Sequence, residues 1–325
     1  MVFIWFIVAV IVTVLAAVKI STYADAISRL SSFGSLLIGT FLLAGATSLP
    51  EVTTSITAVY LDNPDMAVGN VLGSNIFNIG ILATFLLIYR KKLILSNVDR
   101  QQQYTAYIGL AMTVIVVLAL FFTIEIPLLN IGIESILLLL LYGLNIWVLQ
   151  KTSSAANEEL DDPKDDLQEE KYTLKGAMIG FIIAAVIILI SGTVLTFAGD
   201  QIAVITGLGS SFVGSFLIAT TTSLPEVVTV YVALSLNNRN LAAASILGSN
   251  LFNLLILSVC DFLYDGSILQ AASMTNIVTG LILLVNSIAI AGAIYVARNY
   301  RERTWPAIVI ILLYFVAVIL MYVFR

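Results

Sequence analysis

Two carboxylates stand near the middle of long apolar stretches, where a charge is unfavourable. Glu51 ends the sequence Thr-Ser-Leu-Pro-Glu at 47–51, and Glu226 ends the same five residues at 222–226. A charge at the centre of a bilayer costs ~2.5–3.5 kcal/mol or more unless it is paired, hydrated or turned to a cavity. No Lys or Arg occurs in 30–89 or 176–238 to neutralise either carboxylate. The two glutamates therefore predict a bound cation or protons.

A second polar cluster follows each glutamate at the same distance. Gly-Ser-Asn-Ile-Phe-Asn occupies 73–78, and Gly-Ser-Asn-Leu-Phe-Asn occupies 248–253. Glutamates and clusters share one offset, since 226 − 51 and 253 − 78 both equal 175. The chain therefore contains one unit written twice. A single membrane glutamate is often a protonated group that hydrogen-bonds between helices, but duplication of the whole motif favours an ion site.

The residues around each glutamate supply oxygen atoms. Pro50 and Pro225 lack an amide hydrogen and clash with the carbonyl four residues earlier, so each helix should open there and free its carbonyls. The Ser and the last Asn of each later cluster are four residues apart and share one helix face. Carboxylate, hydroxyl, amide and carbonyl oxygens suit Na⁺ and Ca²⁺ and are poor ligands for zinc or copper. Small residues in these clusters also favour close helix packing, and both roles can coexist.

The composition is that of a polytopic membrane protein. Of 325 residues, 60% are hydrophobic and only 11% are charged, whereas a soluble domain is about 25% charged. There is no His, and Cys260 is the single cysteine, which excludes a disulfide framework and argues against a Cys/His metal site. The low pI gives no indication of nucleic-acid binding. The N-terminal apolar run has no basic region before it and no cleavage motif, so we interpret it as a first membrane helix.

The apolar runs predict an all-α protein with ten transmembrane helices. They form two inverted-topology repeats of five helices, with the second and seventh helices broken. The first repeat covers 1–149, an acidic loop covers 150–173, and the second repeat covers 174–325. The predicted segments are 2–24, 32–60, 66–89, 104–123, 127–149, 174–197, 207–236, 241–263, 270–297 and 304–324.

The basic residues predict the orientation of these segments. If the first helix starts outside the cell, every Lys and Arg except Arg325 falls at the cytoplasmic side. This places both termini outside and the 150–173 loop in the cytoplasm. It also fits an even number of segments.

These motifs resemble the cation/calcium exchanger superfamily. Thr-Ser-Leu-Pro-Glu followed by Gly-Ser-Asn-x-x-Asn, in two inverted halves, is most similar to its prokaryotic sodium/calcium exchanger (antiporter) branch. The resemblance covers the chain apart from 150–173. It implies that the first and sixth segments slide against the other eight.

The resemblance also implies a ligand set. Glu51 and Glu226 would be shared by calcium and sodium, Thr47 and Thr222 would offer carbonyls to calcium, and Asn78 and Asn253 would flank the centre. The sodium ligands would be Ala44, Ser48, Ser74 and Ser223 in one site, and Ala219, Thr222, Ser223 and Ser249 in the other. The sequence departs from the family at Ala46 and Thr221, where Gly is common, and at Asn253, where Asp is common.

The sequence thus predicts a sodium/calcium antiporter that works by alternating access. A proton/calcium exchanger or a sodium exchanger for another divalent cation shares the same motifs and stays open as an alternative. An intramembrane enzyme with paired acids and a channel-like protein fit less well, because neither requires the duplicated Ser and Asn clusters. We expect no enzyme activity, no cofactor, no nucleic-acid partner and no obligatory protein partner. The ligands are the transported ions.

Overall fold

The structure is a computed structural model that describes residues 1–30, 45–90, 94–122, 125–126, 131–157, 172–300 and 303–324. Within these ranges the regular secondary structure is helical apart from a short antiparallel ladder, in which β1 (Glu125–Ile126) pairs with β2 (Ile131–Gly132). A π-helical segment, Val213–Ile218, joins α7 to α8. The helices are α1 Val2–Leu30, α2 Leu49–Tyr60, α3 Pro64–Ile88, α4 Arg100–Phe121, α5 Ile133–Asn157, α6 Leu174–Thr206, α7 Ser210–Phe212, α8 Ala219–Thr222, α9 Leu224–Ser235, α10 Arg239–Leu263, α11 Met274–Asn299 and α12 Trp305–Val323.

Nine stretches of the described residues are long and apolar enough to span a membrane. One of them, Ser210–Ser235, comprises α7, the π segment, α8 and α9. The first residues of the predicted second segment, 32–60, lie outside the described residues. The last residues of this segment form α2. The protein is therefore a multi-pass membrane protein, as its composition indicated. The number of ten helices stays a prediction.

Three predicted segments differ from the helices that form. The first predicted segment, 2–24, is exceeded by α1, which runs on to Leu30. α6 continues past 197 to Thr206 and ends at Gly207, whose φ of 69° is favourable for glycine. Asp200, which follows the predicted segment 174–197, lies within α6 and accepts a hydrogen bond from Nδ2 of Asn63 (2.7 Å). The predicted segment 127–149 begins later, at Ile133 after β2, and runs on to Asn157. The first residues of the predicted acidic loop are therefore helical, and 158–171 lie outside the described residues.

The duplication in sequence is repeated in the details of the helix ends. Asn63 caps the start of α3 and Asn238 caps the start of α10, each by accepting a bond from the backbone three residues later (3.1 and 3.0 Å). The residues before these caps, Asp62 and Asn237, both have positive φ (53° and 63°). Asn and Asp tolerate this conformation better than most residues. Both turns are thus encoded in the repeated unit.

Two helix groups organise the packing. α3 and α10 are the most buried of the long helices, and they contact each other at the centre of the molecule. α1 and α6 lie against each other along their length, and small side chains such as Ala17, Ala24 and Ala184 form their interface. Small residues let helix backbones approach closely in a membrane. The pair α1–α6 is therefore packed mainly on itself, at the side of the central helices.

Candidate functional site

Two helix interruptions carry the predicted carboxylates to the centre of the molecule. The helices break at Ser48 and at Ser223, which have nearly the same conformation (φ −89°, ψ 6° and φ −90°, ψ 5°). In each case Pro follows two residues later, so the break lies where the missing amide hydrogen and the clash of the ring were expected to open the helix. Glu51 and Glu226 stand in the first turn after the break, and both are 0% exposed.

Each glutamate is bound by hydroxyl groups that come from a different helix. Oε1 of Glu51 accepts from Oγ of Ser223 (3.1 Å), and Thr222 also donates to this carboxylate. Oε1 of Glu226 accepts from Oγ of Ser249 (3.4 Å) on α10, and Thr47 donates to the same carboxylate. Thr47 and Thr222 each precede a glutamate of their own helix by four residues, yet each bonds to the glutamate of the opposite repeat.

The other predicted oxygen ligands lie in the same region. Oγ of Ser74 is 3.5 Å from the carbonyl oxygen of Ala219 and 3.4 Å from Oγ1 of Thr222. Asn78 and Asn253 are 0% exposed and follow Ser74 and Ser249 by one helical turn. Ser48 lies at its helix break and is 0% exposed. Ala44 lies outside the described residues. Ser74, Ala219 and Thr222 thus contact one another at the second helix break. Ser48 is buried at the first break, and Asn78 and Asn253 are buried on the helices that carry the two polar clusters.

Several buried polar atoms in this region have no hydrogen-bond partner among the residues that the structure describes. Buried polar groups are usually paired, so a group of unpaired ones requires an explanation. The unpaired atoms here are Oε2 of Glu51, Oε2 of Glu226, Oγ of Ser48, Oδ1 of Asn78, and both Nδ2 and Oδ1 of Asn253. All but one are oxygens. Oxygen atoms from carboxylates, hydroxyls and amides are what a hard cation binds.

Another buried acid shows the contrast. Asp261, near the end of α10, is 1% exposed. Its Oδ2 accepts from the amide of Gly132 (3.0 Å) and from Oγ of Ser135 (2.6 Å), and its Oδ1 accepts from the amide of Ile268 (3.0 Å). Both oxygens of Asp261 are therefore satisfied within the protein, whereas each of the two central glutamates keeps one free oxygen.

The charge of the site is limited to the two glutamates. Among the described residues there is no group of three or more Asp, Glu, Cys or His side chains that could hold a metal ion. The site thus offers at most two negative charges together with neutral oxygens.

The sequence analysis missed three asparagines that support the site. Nδ2 of Asn70 is close to the carbonyl oxygen of Glu51 (3.4 Å) and donates to Oγ1 of Thr54 (2.8 Å) and Oγ of Ser55 (2.9 Å). Its Oδ1 lies 3.5 Å from Oγ1 of Thr222. Asn70 precedes Ser74 by four residues, which was the available signal that it shares the ligand face.

The other two asparagines, Asn75 and Asn250, connect the repeats. Nδ2 of Asn75 donates to the carbonyl of Asn250 (3.2 Å), and Nδ2 of Asn250 donates to the carbonyl of Asn75 (3.3 Å). Their repetition within the two polar clusters was visible in the sequence. Their contact was not, because spacing along one helix does not identify the neighbouring helix.

Comparison with known proteins finds relatives in sequence and in fold. The profile of the family described as "Sodium/calcium exchanger protein" matches residues 1–150 and 176–323. A membrane protein of Methanocaldococcus jannaschii, MJ0091, is 23% identical over 300 residues, which cover 91% of this chain and 89% of the relative.

Two solved structures have a similar fold. The sodium-calcium exchanger NCX_Mj, soaked with Na⁺ and Sr²⁺, matches with a TM-score of 0.63 and 22% identity, over 98% of this chain and 97% of that protein. The H⁺/Ca²⁺ exchanger CAX matches with a TM-score of 0.75 and 14% identity, over 99% of this chain and 84% of that protein.

Proposed function

Because the chain belongs to the sodium/calcium exchanger protein family, we propose that it is a sodium/calcium antiporter in which sodium influx drives calcium efflux. The family makes it a membrane transporter of cations. The observation that supports the specific ions is the pair Glu51 and Glu226. Each has one carboxylate oxygen that accepts a hydrogen bond from a serine, Ser223 for Glu51 and Ser249 for Glu226, and one oxygen without a partner among the described residues. Two carboxylates balance one Ca²⁺, or they are occupied by Na⁺ ions in its place.

The proposed ligands are the oxygen-bearing side chains and carbonyls gathered at the two helix breaks. Their mixture of carboxylate, hydroxyl, amide and carbonyl oxygens matches the preference of Ca²⁺ for six to eight oxygen ligands. They are Glu51, Glu226, Asn78, Asn253, Thr47, Thr222, Ser48, Ser223, Ser74, Ser249, Ala219 and, outside the described residues, Ala44.

Coupling follows from the cost of moving uncompensated charge. Two ionised carboxylates are strongly unfavourable in an interior that is closed to water. The protein therefore changes sides only when Ca²⁺ or Na⁺ fills the site, and empty carriers stay on one side. This requirement links the two fluxes without a cofactor.

The proposed movement is a sliding of α1 and α6 against the other helices. The support is their packing, since the two helices lie mainly on each other and less on the centre. We also propose the inverted ten-helix arrangement, with 1–149 and 174–325 as the two repeats and both termini outside. The matched caps at Asn63 and Asn238 and the distribution of Lys and Arg support this arrangement.

Proton coupling is the competing function. The fold is shared with CAX, which is an H⁺/Ca²⁺ exchanger, and a carboxylate with a free oxygen binds a proton as well as a cation. In a proton-coupled protein, Glu51 and Glu226 would be protonated when calcium leaves. Calcium binding would then depend on pH and be indifferent to sodium.

The deciding experiment is ⁴⁵Ca²⁺ uptake into proteoliposomes with imposed sodium, potassium or proton gradients. We expect uptake only when Na⁺ is trapped inside, with a steep fall of calcium affinity as external Na⁺ rises. Uptake driven by a proton gradient at constant Na⁺ would replace the sodium proposal by the proton one. Glu134→Gln is a matched control, because Glu134 is buried but lies near Ser267 (3.5 Å), away from the site.

A further inference from the structure

Four buried asparagines on α3 and α10 form a hydrogen-bond network in which some amide atoms have no partner among the described residues. Asn75 and Asn78 lie on α3, and their counterparts Asn250 and Asn253 lie on α10, 175 residues later. Asn75 and Asn250 hold the two helices together by the reciprocal hydrogen bonds described above, and we call these the clamp bonds. All four are at most 8% exposed. Their remaining amide atoms therefore have to find partners inside the protein.

One repeat makes a bond that the other does not. Nδ2 of Asn78 donates to Oδ1 of Asn250 at 3.0 Å. The counterpart bond would run from Nδ2 of Asn253 to Oδ1 of Asn75, but neither of these atoms has a hydrogen-bond partner. The asymmetry leaves three amide atoms of the second pair unpaired, namely Oδ1 of Asn75 and both polar atoms of Asn253.

The bond that is made fixes the orientation of a ligand amide. An amide has an oxygen end and a nitrogen end, and a cation binds only the oxygen. Oδ1 of Asn250 accepts a hydrogen bond from Nδ2 of Asn78. Oδ1 of Asn78 is therefore left without a partner among the described residues. Asn250 therefore holds the amide of Asn78 in the orientation that leaves its oxygen available to a cation.

Resting on the proposed function, we infer that Asn250 and Asn75 are positioning residues of the ion site, each orienting the ligand amide of the opposite repeat. Asn250 orients Asn78 in the structure as it stands. Asn75 orients Asn253 once a cation is bound. When the oxygen of Asn253 turns to a cation, its nitrogen is left without a partner, and Oδ1 of Asn75 is the unpaired acceptor at the equivalent position.

A small cavity offers a different partner for Asn75. A space of about 20 Å³ between α3, α4, α10 and α11 is lined by Asn75 and Asn250 and by the hydroxyls of Thr113 and Ser287. This is room for about one water molecule. Asn250 also lines the cavity, and its Oδ1 nevertheless bonds to Asn78. Lining the cavity is therefore compatible with the positioning role of Asn75.

The test is a pair of double-mutant cycles that read cation binding directly. The stabilisation of the detergent-solubilised protein by Ca²⁺ is measured as the shift of Tm against Ca²⁺ concentration, and Na⁺ is titrated in the same way. We expect Asn75→Ala and Asn250→Ala each to weaken the apparent calcium affinity about tenfold. Residues that act through one another give non-additive effects in such a cycle.

The predicted couplings are specific to the crossed pairs. The double variant of Asn75→Ala and Asn253→Ala should bind calcium no more weakly than the weaker of its two single variants. The same is expected of the double variant of Asn250→Ala and Asn78→Ala. The uncrossed pairs, Asn75 with Asn78 and Asn250 with Asn253, are the matched controls and should be additive. Both single variants lose one clamp bond between α3 and α10, so a purely structural effect would be the same in all four cycles.

The outcomes separate the two proposals. If neither Ca²⁺ nor Na⁺ stabilises the parent protein, the proposed function fails. If either cation stabilises it and the crossed pairs are additive, the positioning role fails, and the oxygen of Asn75 serves only the cavity. Where an alanine variant does not fold, Asn75→Ser and Asn250→Ser are used in the same cycles, since serine is small and retains a hydroxyl.

Discussion

The outer helices α1 and α6 contact the inner helices of the two repeats differently. The two contact surfaces, α2 with α6 and α9 with α1, are called seams below. On the inner helix α2 of the first repeat, α6 packs closely, and Thr53 and Thr57 of α2 are only 5% and 9% exposed. The counterpart residues on α9, Val228 and Val232, are 39% and 47% exposed, because α1 meets α9 at few points. In this structure α6 is therefore packed closely against α2, whereas α1 is not packed closely against α9. We call the α2–α6 seam closed.

The closed seam also has the more polar chemistry. Oγ1 of Thr57 lies 3.4 Å from Oγ1 of Thr193 on α6, and Thr196 of α6 donates to the carbonyl of Thr54 (3.3 Å). By the offset of 175, Thr57 corresponds to Val232 and Thr193 corresponds to Val18. A pair of hydroxyls in one seam is thus a pair of valines in the other. Under the proposed sliding of α1 and α6, the duplication would provide two equivalent positions for these helices, and these substitutions would make the two positions unequal in energy.

The largest expected effect tests what the repeats share. Glu51→Gln and Glu226→Gln should each abolish sodium-driven calcium uptake, with a loss of at least 100-fold, because one remaining carboxylate cannot balance a divalent cation. The measurement is initial ⁴⁵Ca²⁺ flux in proteoliposomes at matched protein density. Glu134→Gln is the control and should retain flux. A variant of either central glutamate that transports normally would show that the two repeats do not contribute equally to the site.

The next effect separates the repeats at a pair of glycines. A Cβ at Gly73 would overlap the backbone carbonyl of Ser215 in the π segment, whereas a Cβ at Gly248 meets nothing within 4 Å. Gly73→Ala should therefore destabilise by about 1–3 kcal/mol or more, since backbone and not a flexible side chain has to move. Gly248→Ala should be neutral or stabilising by up to about 1 kcal/mol, because alanine is the better helix former. Thermal unfolding of both variants in detergent is the measurement, and equal shifts of Tm would contradict this difference.

A third comparison uses the asparagine that only the first repeat has. Asn70 bonds to three groups of α2, and its counterpart is Ser245. Asn70→Ser should lower the free energy of unfolding by about 1–3 kcal/mol, because buried groups lose their partners. The calcium KM should also rise severalfold, since Thr222 loses a neighbour. Ser245→Ala is the control, with a change within about 0.5 kcal/mol. Equal effects would mean that Asn70 does not support the site.

The pattern of the sequence was sufficient for part of this description. The composition predicted a multi-pass membrane protein, and Pro50 and Pro225 predicted helix breaks close to Ser48 and Ser223. The sequence did not show that Thr47 and Thr222 bond to the glutamates of the opposite repeats, because helical spacing gives the face of a residue and not the helix that it meets. It misplaced the end of α6 for a similar reason, since Asp200 is accommodated inside the helix by a partner, Asn63, from a distant part of the chain.

The smallest expected effect concerns the seam itself. Hydrogen bonds between membrane helices contribute about 0.6 kcal/mol on average, so Thr57→Val should shift the balance away from the closed α2–α6 seam about two- to threefold. The readout is disulfide cross-linking in a Cys260→Ala background, with one cysteine pair replacing Thr57 and Thr193 and another replacing Val18 and Val232. In the parent without ions, the first pair should cross-link and the second should not.

The Thr57→Val change can then be measured with the second cysteine pair alone. Its cross-linking rate should rise about two- to threefold, because more molecules have α1 packed on α9. The matched control is Val232→Thr, assayed with the cysteine pair at 57 and 193. A hydroxyl added to the apolar seam has no hydroxyl partner at Val18, so this variant should leave the cross-linking rate unchanged. If Thr57→Val has no effect either, the hydroxyl seam does not set the preference, and the difference between the repeats must come from the packing of Gly192 against Thr53, where a Cβ would approach to 2.8 Å.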